Sequence, residues 1–384
     1  MDLWSKRGIV FGQKGAQMLA HPLSRWVAGG IGAGLLMGIV ILVYWRAPAS
    51  FEGEAAHITF FQIGTGPSDE AYFAWGGRLA AIISRTPNAG PCERDAPCGV
   101  EGVLAVVKSS AGSVANVRAV ATHHVQSALI QSLVLDQAAH ATGAFRGEKP
   151  TKSLRAIANI QRETLFLVAG RASGIATPAD MEDKRVGFGL KGSAADYAAQ
   201  MVLRAYSIGQ NKIDTTYAEP ERLSEMLLRN QLDAFFFVGH DPSAFIADLS
   251  NRGAIDIVPI ADEQAQFLIK GQRILTPTII ADDAYRFIPQ VSTLGVNVIW
   301  VCDMRESAFL IRDLTEALFY SGNRSLLPAG QSEKPGSKDT DKAIEQAERK
   351  ALMRQASSNL VIELHPGAEQ FYRQQNVLNA DVAP

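Results

Sequence analysis

The chain lacks the residue patterns that most enzyme and metal sites require. Its 384 residues include only three cysteines, and no two of them form a C-x-x-C pair of the kind found in zinc sites. No Gly-x-Ser-x-Gly or His-x-x-x-His pattern occurs, so the sequence contains neither a serine nucleophile elbow nor a helical pair of zinc ligands. We therefore expect no enzymatic activity, no catalytic residue, no metal and no cofactor.

The sequence also lacks an excess of charge of either sign. Lys and Arg number 37 against 39 Asp and Glu, which gives a formal net charge of -2. Proteins that bind nucleic acid usually carry a basic patch or stripe. The composition therefore predicts no nucleic-acid partner.

A dinucleotide-binding fingerprint is incomplete. Gly64-Thr-Gly66 follows a β-rich run, but Asp69 stands where the last Gly or Ala of G-x-G-x-x-G belongs. The acidic residue expected about twenty positions later is missing, because Ser84 to Pro91 contains none. These departures argue against a nicotinamide enzyme.

One long apolar run is present near the N-terminus. Trp26 to Trp45 contains no charged residue and, at about 1.5 Å per residue, is long enough to span a ~30 Å hydrocarbon core. Four basic residues precede it, whereas only Arg46 follows closely, so the positive-inside rule places residues 1–25 in the cytoplasm and the main domain outside. We expect 26–45 to be a single transmembrane anchor in a bacterial inner membrane. The alternative is a long signal segment cleaved at Ala47-Pro48-Ala49.

The exported part alternates short apolar strands with helical patterns, which predicts an α/β fold with parallel strands. Gly-rich turns between a strand and a helix occur twice, after Ile58 to Ile63 and after Arg185 to Gly189. The simplest architecture is two α/β lobes around a central cleft, with ligand at the carboxyl ends of the strands.

The expected domain boundaries follow from this pattern. Residues 56–160 form the first part of lobe 1, and 161–275 form lobe 2. Residues 276–384 return to lobe 1 with C-terminal helices, and they contain a Pro, Gly and Ser-rich segment, 327–349, that we expect to be mobile.

The cysteines fall in two environments. Cys92 and Cys98 lie six residues apart in a loop rich in Gly and Pro, and in an oxidising compartment they would form a disulfide. The alternative is a pair of free thiols. Cys302 follows an apolar run and is expected to be a buried core thiol.

Several segments match a known family in chain order. They are Ile63 to Gly66, Tyr72 with Gly76-Gly77, Gly112 to Val117, Leu154 to Ile157, Ser173 to Ile175 with Asp180, Lys184 to Val186 with Gly192-Ser193, Leu232 to Phe236, Gly239-His240 and Leu364 to Ala368. With them the chain resembles the TAXI-type solute-binding subunits of tripartite ATP-independent periplasmic (TRAP) transporters. The resemblance covers nearly everything after residue 58.

The resemblance implies a type II periplasmic-binding-protein fold without catalysis. Such a protein hands a small organic acid or an acidic amino acid to an integral membrane permease. The chain departs from the family where Gly64 to Asp69 is less rich in Gly and Thr, and where Gln126-Ser127 replaces an acidic residue. A membrane-anchored ligand-sensing domain or an ABC-type binding domain of the same fold remains an alternative.

A small carboxylate needs desolvated hydrogen-bond donors, which the start of a helix provides through its backbone N–H groups and dipole. Two such turns, Thr65 to Asp69 and Gly192 to Ala195, are therefore candidates, and strand ends add polar side chains. The predicted ligand-binding residues are Gly64, Thr65, Gly66, Ser68, Tyr72, Gln131, Gly192, Ser193, Ala194, Gly239 and His240. The alternative interpretation is that the turns are ordinary capped helices, that Tyr72 packs in the core and that His240 is structural.

Overall fold

The computed structural model describes residues 58–68, 71–93, 96–270, 274–326 and 341–378. The predicted cytoplasmic segment 1–25 and the predicted membrane anchor 26–45 lie outside these residues. In the described part of the chain, no helix is both long enough and apolar enough to cross a bilayer.

The strands of the described residues join in one mixed sheet. They are β1 (Thr59–Gly64), β2 (Ser84–Arg85), β3 (Val100–Glu101), β4 (Val103–Lys108), β5 (Ser127–Gln131), β6 (Leu154–Gly170), β7 (Arg185–Gly187), β8 (Asp214–Thr216), β9 (Ala234–Gly239), β10 (Ile255–Ile257), β11 (Leu275–Ile280) and β12 (Val291–Asp303).

Helices connect most of these strands. They are α1 (Ala71–Ile83), α2 (Ser113–Ala121), α3 (Ser132–His140), α4 (Ala194–Ala205), α5 (Pro220–Leu228), α6 (Ala244–Asn251), α7 (Glu263–Lys270), α8 (Ala308–Leu318), α9 (Asp341–Ala356) and α10 (Pro366–Gln374). The segment expected to be mobile, 327–349, overlaps the first half of α9. Its residues 341–349 are helical in the structure. Residues 327–340 lie outside the described residues.

The sheet has two halves joined by two long strands. Its order is β3-β2-β4-β1-β5-β12-β6-β9-β7-β8, with β11 paired to β12 and β10 to β6. Strands β4, β1 and β5 are parallel in the first half, and β9, β7 and β8 are parallel in the second. We call β6 and β12 the crossing strands, because they are antiparallel to each other and belong to both halves.

Two of the expected lobe boundaries fall inside strands. The boundary between residues 160 and 161 lies inside β6, and the boundary between 275 and 276 lies inside β11. Residues 154–170 are almost continuously buried, as a strand covered on both faces should be. Neither expected boundary therefore coincides with a loop of the structure.

The register places the strand ends of the two halves opposite each other. Gln131, at the carboxyl end of β5, pairs with Val298. Gly239, at the carboxyl end of β9, pairs with Thr164. Since Val298 pairs with Gln161, both carboxyl ends meet the crossing strands within a few residues of one another. Ligands of open α/β sheets bind at such ends.

Among the described residues, three hydrophobic clusters hold the helices on the sheet. One contains Phe61, Trp300 and residues of α1, α8 and α10, and a second surrounds Phe235 under α5 and α6. The third and largest runs beneath α2, α3, α4 and α7 in both halves. Cys302 belongs to the first cluster and is fully buried, which confirms the expectation for this thiol.

Candidate ligand-binding site

The candidate site begins with a carboxylate on a crossing strand. Glu163 lies in β6 opposite Val296, and its side chain is 3% exposed. Its Oε2 accepts a hydrogen bond from the Tyr72 hydroxyl at 3.1 Å and another from the Gln131 amide at 2.5 Å. Tyr72 comes from the first turn of α1, and Gln131 is the residue preceding α3. The structure thus brings two predicted residues together on one that the sequence analysis did not select.

A second polar pair adjoins the first along β6. The Gln161 amide lies 3.1 Å from Nδ1 of His240, which directly follows β9. Burial lowers the pKa of His240 below its ordinary value of 6.5, so the imidazole is neutral at neutral pH. Gln161 and Glu163 are two residues apart on the same strand. Together they link Tyr72 and Gln131 of the first half to His240 of the second.

The loop after His240 is held by a tyrosine. The Tyr285 hydroxyl donates to Asp241 Oδ1 at 2.8 Å and accepts the N–H of Ser243 at 2.6 Å. Burial raises the pKa of Asp241, and burial also raises that of Tyr285 above its ordinary range. The buried Tyr285 therefore fixes the position of the strand end that presents His240.

The first predicted turn is built mainly from bonds to its own half. Thr65 is fully buried, and its hydroxyl and N–H both donate to the Lys108 carbonyl, at 2.9 and 3.0 Å. The Thr65 carbonyl accepts from the Asn116 amide at 2.6 Å. Gly64 is needed for close packing, because a Cβ there would lie 2.9 Å from Asn116 Oδ1. Gly66 is buried, whereas Ser68 is exposed. The Thr65 hydroxyl is thus engaged in holding β1 to the end of β4.

The second predicted turn is occupied by a carboxylate of its own helix. Ser193 caps α4 by accepting the Asp196 N–H, and Asp196 Oδ2 accepts the Gly192 N–H at 2.8 Å. Asp196 is 3% exposed, and Ala194 is buried beside it. Gly192 has a φ of 82°, and a Cβ there would lie 3.2 Å from the Cβ of Ala144. The Gly192 N–H is therefore already satisfied within the turn.

The two cysteines of the first half form a disulfide, Cys92–Cys98. Its second cysteine is fixed by the buried Asn323, whose Oδ1 accepts the Cys98 N–H at 2.9 Å and whose amide donates to the Cys98 carbonyl at 2.8 Å. Asn323 also donates to the Ala317 carbonyl near the end of α8. The disulfide loop is therefore attached to the C-terminal part of the first half.

Sequence reasoning missed Gln161 and Glu163, although a signal was present. Asn159, Gln161 and Glu163 stand at alternate positions of β6, and all three are buried, whereas Arg162 between two of them is exposed. Polar residues buried in a strand are rare unless they are hydrogen-bonded or functional. Three buried polar residues at alternate positions of one strand are therefore the pattern that marks this site.

A separate cavity lies beside β6 in the first half. Trp75, Asn159, Leu318 and Gln355 are among the residues that line it. It is enclosed by α1, the end of α8 and α9, and it lacks the cluster described above. In the described part of the chain, no three His, Cys, Asp or Glu residues are arranged to hold a metal ion.

The family of the chain follows from a match that spans most of its length. A model of the NMT1-like family matches residues 63–375, which include both halves of the sheet and the whole candidate site. The chain belongs to the NMT1-like family. Its described strands form one mixed sheet that both halves share.

Several solved structures are similar to this member of the NMT1-like family. The periplasmic aliphatic sulphonate binding protein SsuA of Escherichia coli shares 13% identity over 80% of this chain and 91% of its own, with a TM-score of 0.39. A sulfonate-binding SsuA of Methylobacillus flagellatus shares 12% identity over 83% and 85%, with a TM-score of 0.44. PhnD1 of Prochlorococcus marinus, solved with methylphosphonate, shares 11% over 76% and 98%, with a TM-score of 0.42.

Proposed function

We propose that this chain is the extracytoplasmic solute-binding subunit of a bacterial transporter, and that its two halves act as lobes that enclose a small organic acid or amino acid. The observation that carries the proposal is the polar cluster Tyr72, Gln131, Gln161, Glu163 and His240, in which side chains of both halves meet on β6. It lies where the carboxyl ends of the strands of both halves meet. A ligand held there would contact both lobes at once and stabilise their closed arrangement.

Thermal unfolding with a panel of organic and amino acids tests solute binding. A ligand at 100 times its Kd adds about 2.7 kcal/mol to the free energy of unfolding, which should raise Tm by several degrees. Gln131→Ala removes a donor from the cluster and should lower the affinity for that ligand at least about tenfold. Gln370→Ala, an exposed glutamine of α10, is the matched control and should leave the affinity unchanged. A panel in which no acid raises Tm would reject the proposal.

The transport partner that we propose is a TRAP-type permease, on the basis of the family resemblance in the sequence. Uptake of the ligand should then depend on an ion gradient and not on ATP. An ionophore that collapses the gradient while cellular ATP is maintained should stop uptake. Continued uptake under those conditions would favour an ABC-type system instead.

We propose that the main domain lies in the periplasm and is held at the inner membrane by residues 26–45. The basis is the uncharged apolar run with basic residues ahead of it. A reporter that is active only in the periplasm, fused after residue 384, should be active. A soluble periplasmic product beginning near Ser50 would show that the segment is cleaved.

A further inference from the structure

The strand β6 carries a third buried polar residue, Asn159, that the cluster does not use. Asn159 is 8% exposed, and its Oδ1 has no hydrogen-bond partner among the described residues. Buried side-chain oxygens are nearly always hydrogen-bonded, because an acceptor that is removed from water and left without a donor lowers stability. The Asn159 acceptor therefore indicates a missing donor, which a bound molecule would supply.

A bulge in β6 directs this side chain into the cavity beside the strand. The register against β12 shifts by one residue between Asn159 and Gln161, which makes Ile160 the extra residue of a β-bulge. Asn159 and Ile160 are consecutive, yet both line the cavity, whereas side chains of a regular strand alternate between its faces. Bulges often occur next to active sites, where they change the direction of a side chain. The bulge thus presents the Asn159 acceptor to the cavity.

The cavity is small and mostly hydrophobic. Its volume is about 30 Å³, which is room for about two groups of the size of a water molecule. Besides Asn159, its walls include Trp75, Leu318, Phe319, Leu352 and Ala356. A charged group would lose its hydration there at a large cost, whereas a neutral group with one N–H or O–H would bond Asn159. The cavity therefore suits a short, uncharged chain that ends in a donor.

The cavity adjoins the polar cluster along two elements. Trp75 follows Tyr72 by three residues on α1, which is nearly one turn of the helix and a rise of about 4.5 Å. Asn159 precedes Gln161 by two residues on β6. A solute held at the cluster is therefore about one helical turn from the cavity, a distance that its own side chain can span.

We propose that the cavity receives the side chain of the solute, and that this chain ends in a neutral donor, a hydroxyl or an amide, that bonds Asn159 Oδ1. The inference rests on the proposed solute-binding function and narrows the ligand to a hydroxylated or amidated acid. A side chain that ends in a carboxylate offers acceptors only, so it would leave Asn159 unsatisfied and would place a charge against hydrophobic walls. Dicarboxylates and acidic amino acids should therefore bind weakly.

Pairs of ligands in which a methyl group replaces the hydroxyl test the proposal by calorimetry. Suitable probes are homoserine with norvaline, threonine with valine, and 4-hydroxybutyrate with pentanoate. In the pair that the protein recognises, the hydroxyl compound should bind at least about tenfold more tightly, because a site that hydrogen-bonds a hydroxyl rejects the analogue without it. Asn159→Leu replaces the amide by an apolar group of similar size and should remove this preference.

A second substitution fills the cavity and leaves Asn159 in place. Ala356, the last residue of α9, is buried and lines the cavity, so Ala356→Leu should weaken binding of the hydroxyl compound at least about tenfold. Ala351→Leu, at an exposed position of the same helix, is the matched control and should leave the affinity unchanged. The melting temperature of each variant without ligand shows whether it is folded.

The outcomes separate this proposal from the function on which it rests. A hydroxyl preference that Asn159→Leu removes, with binding that Ala356→Leu weakens and Ala351→Leu retains, supports the cavity as a side-chain subsite. Equal affinities within every pair that binds, a preference that persists in Asn159→Leu, or a tightest ligand without a side-chain hydroxyl or amide would show that the cavity is not used, and solute binding would stand. If no member of any pair and no acid of the panel binds, the proposed function itself is wrong.

Discussion

At the scale of single residues, the structure separates groups that hold the fold from groups that are arranged for a ligand. The Thr65 hydroxyl donates to the Lys108 carbonyl at the end of β4, and the Asp196 carboxylate accepts the Gly192 N–H within its own turn. Glu163 instead collects side chains from a helix and from a strand end of the first half. Polar residues near the cleft therefore differ in role according to where their hydrogen bonds go.

Thr65→Val should lower stability without lowering ligand affinity. The substitution keeps the size of the side chain but removes the hydroxyl that donates to the Lys108 carbonyl, a loss of about 1 kcal/mol. Urea unfolding should show the decrease, and calorimetry should show unchanged affinity in the folded protein. Ser68→Ala, at an exposed hydroxyl of the same loop, is the control and should leave stability unchanged. A large loss of ligand affinity in Thr65→Val would contradict this prediction and show that the hydroxyl contacts the ligand.

The buried His365 should make stability depend on pH. It precedes α10 and its Nδ1 accepts the Gly367 N–H at 3.2 Å, which requires that nitrogen to be unprotonated. Burial lowers the pKa of His365 below its ordinary value of 6.5, although backbone groups of Glu306 and Met304 oppose this shift. The unfolded chain therefore binds the proton first, so the contribution is complete above pH 6.5 and is lost as pH falls below it.

Urea unfolding at pH 7 and pH 5 measures this effect. His365→Asn keeps an acceptor at the start of the helix but does not titrate, so it should lose less stability between the two pH values than the wild-type protein loses. His140→Asn, at a side chain that is 69% exposed, should retain the wild-type loss. Equal losses in wild type and His365→Asn would show that His365 does not cause the pH dependence.

At the scale of elements, the alternation of strands and helices was predictable from hydrophobic periodicity, whereas the length of β6 was not. The apolar run Leu165 to Ala169 indicates a strand, but its extension back to Leu154 depends on pairing with β12, which is distant in sequence. The prediction of the site from the sequence was limited in the same way, because it also depends on pairing between distant segments. Tyr72, Gln131 and His240 were predictable as polar or aromatic residues at element ends, whereas Glu163 became apparent only when the register joined it to them.

Substitutions at two glycines test whether the turn before α4 stabilises the fold or contacts the ligand. Gly192→Ala places a side chain at a φ of 82° and 3.2 Å from the Cβ of Ala144, which should destabilise the protein by about 1–2 kcal/mol. Gly77 lies on the exposed face of α1, and a Cβ added there would have no neighbour among the described residues within 4 Å, apart from the local helix backbone. Gly77→Ala should therefore stabilise the protein by about 0.5–1 kcal/mol. Thermal unfolding of both variants measures the contrast. A stable Gly192→Ala variant with reduced ligand affinity would show that this turn contacts the ligand.

At the scale of the whole molecule, two halves share a sheet whose crossing strands carry the polar cluster. The carboxyl ends of the strands of both halves point to that cluster, so a solute bound there would be contacted from both sides. The continuous strands β6 and β12 connect the two halves. We propose that this arrangement serves the capture and release of a solute.

Native mass spectrometry of the protein purified from the periplasm under mild conditions tests the central claim most directly. The wild-type protein should carry one small organic molecule at a ratio of one to one, or should acquire one from the acid panel. Gln131→Ala should carry markedly less of the same mass, whereas Gln370→Ala should match the wild type. A wild-type protein that never shows a bound small molecule, or a Gln131→Ala variant that binds as well as the wild type, would contradict a solute site at this cluster.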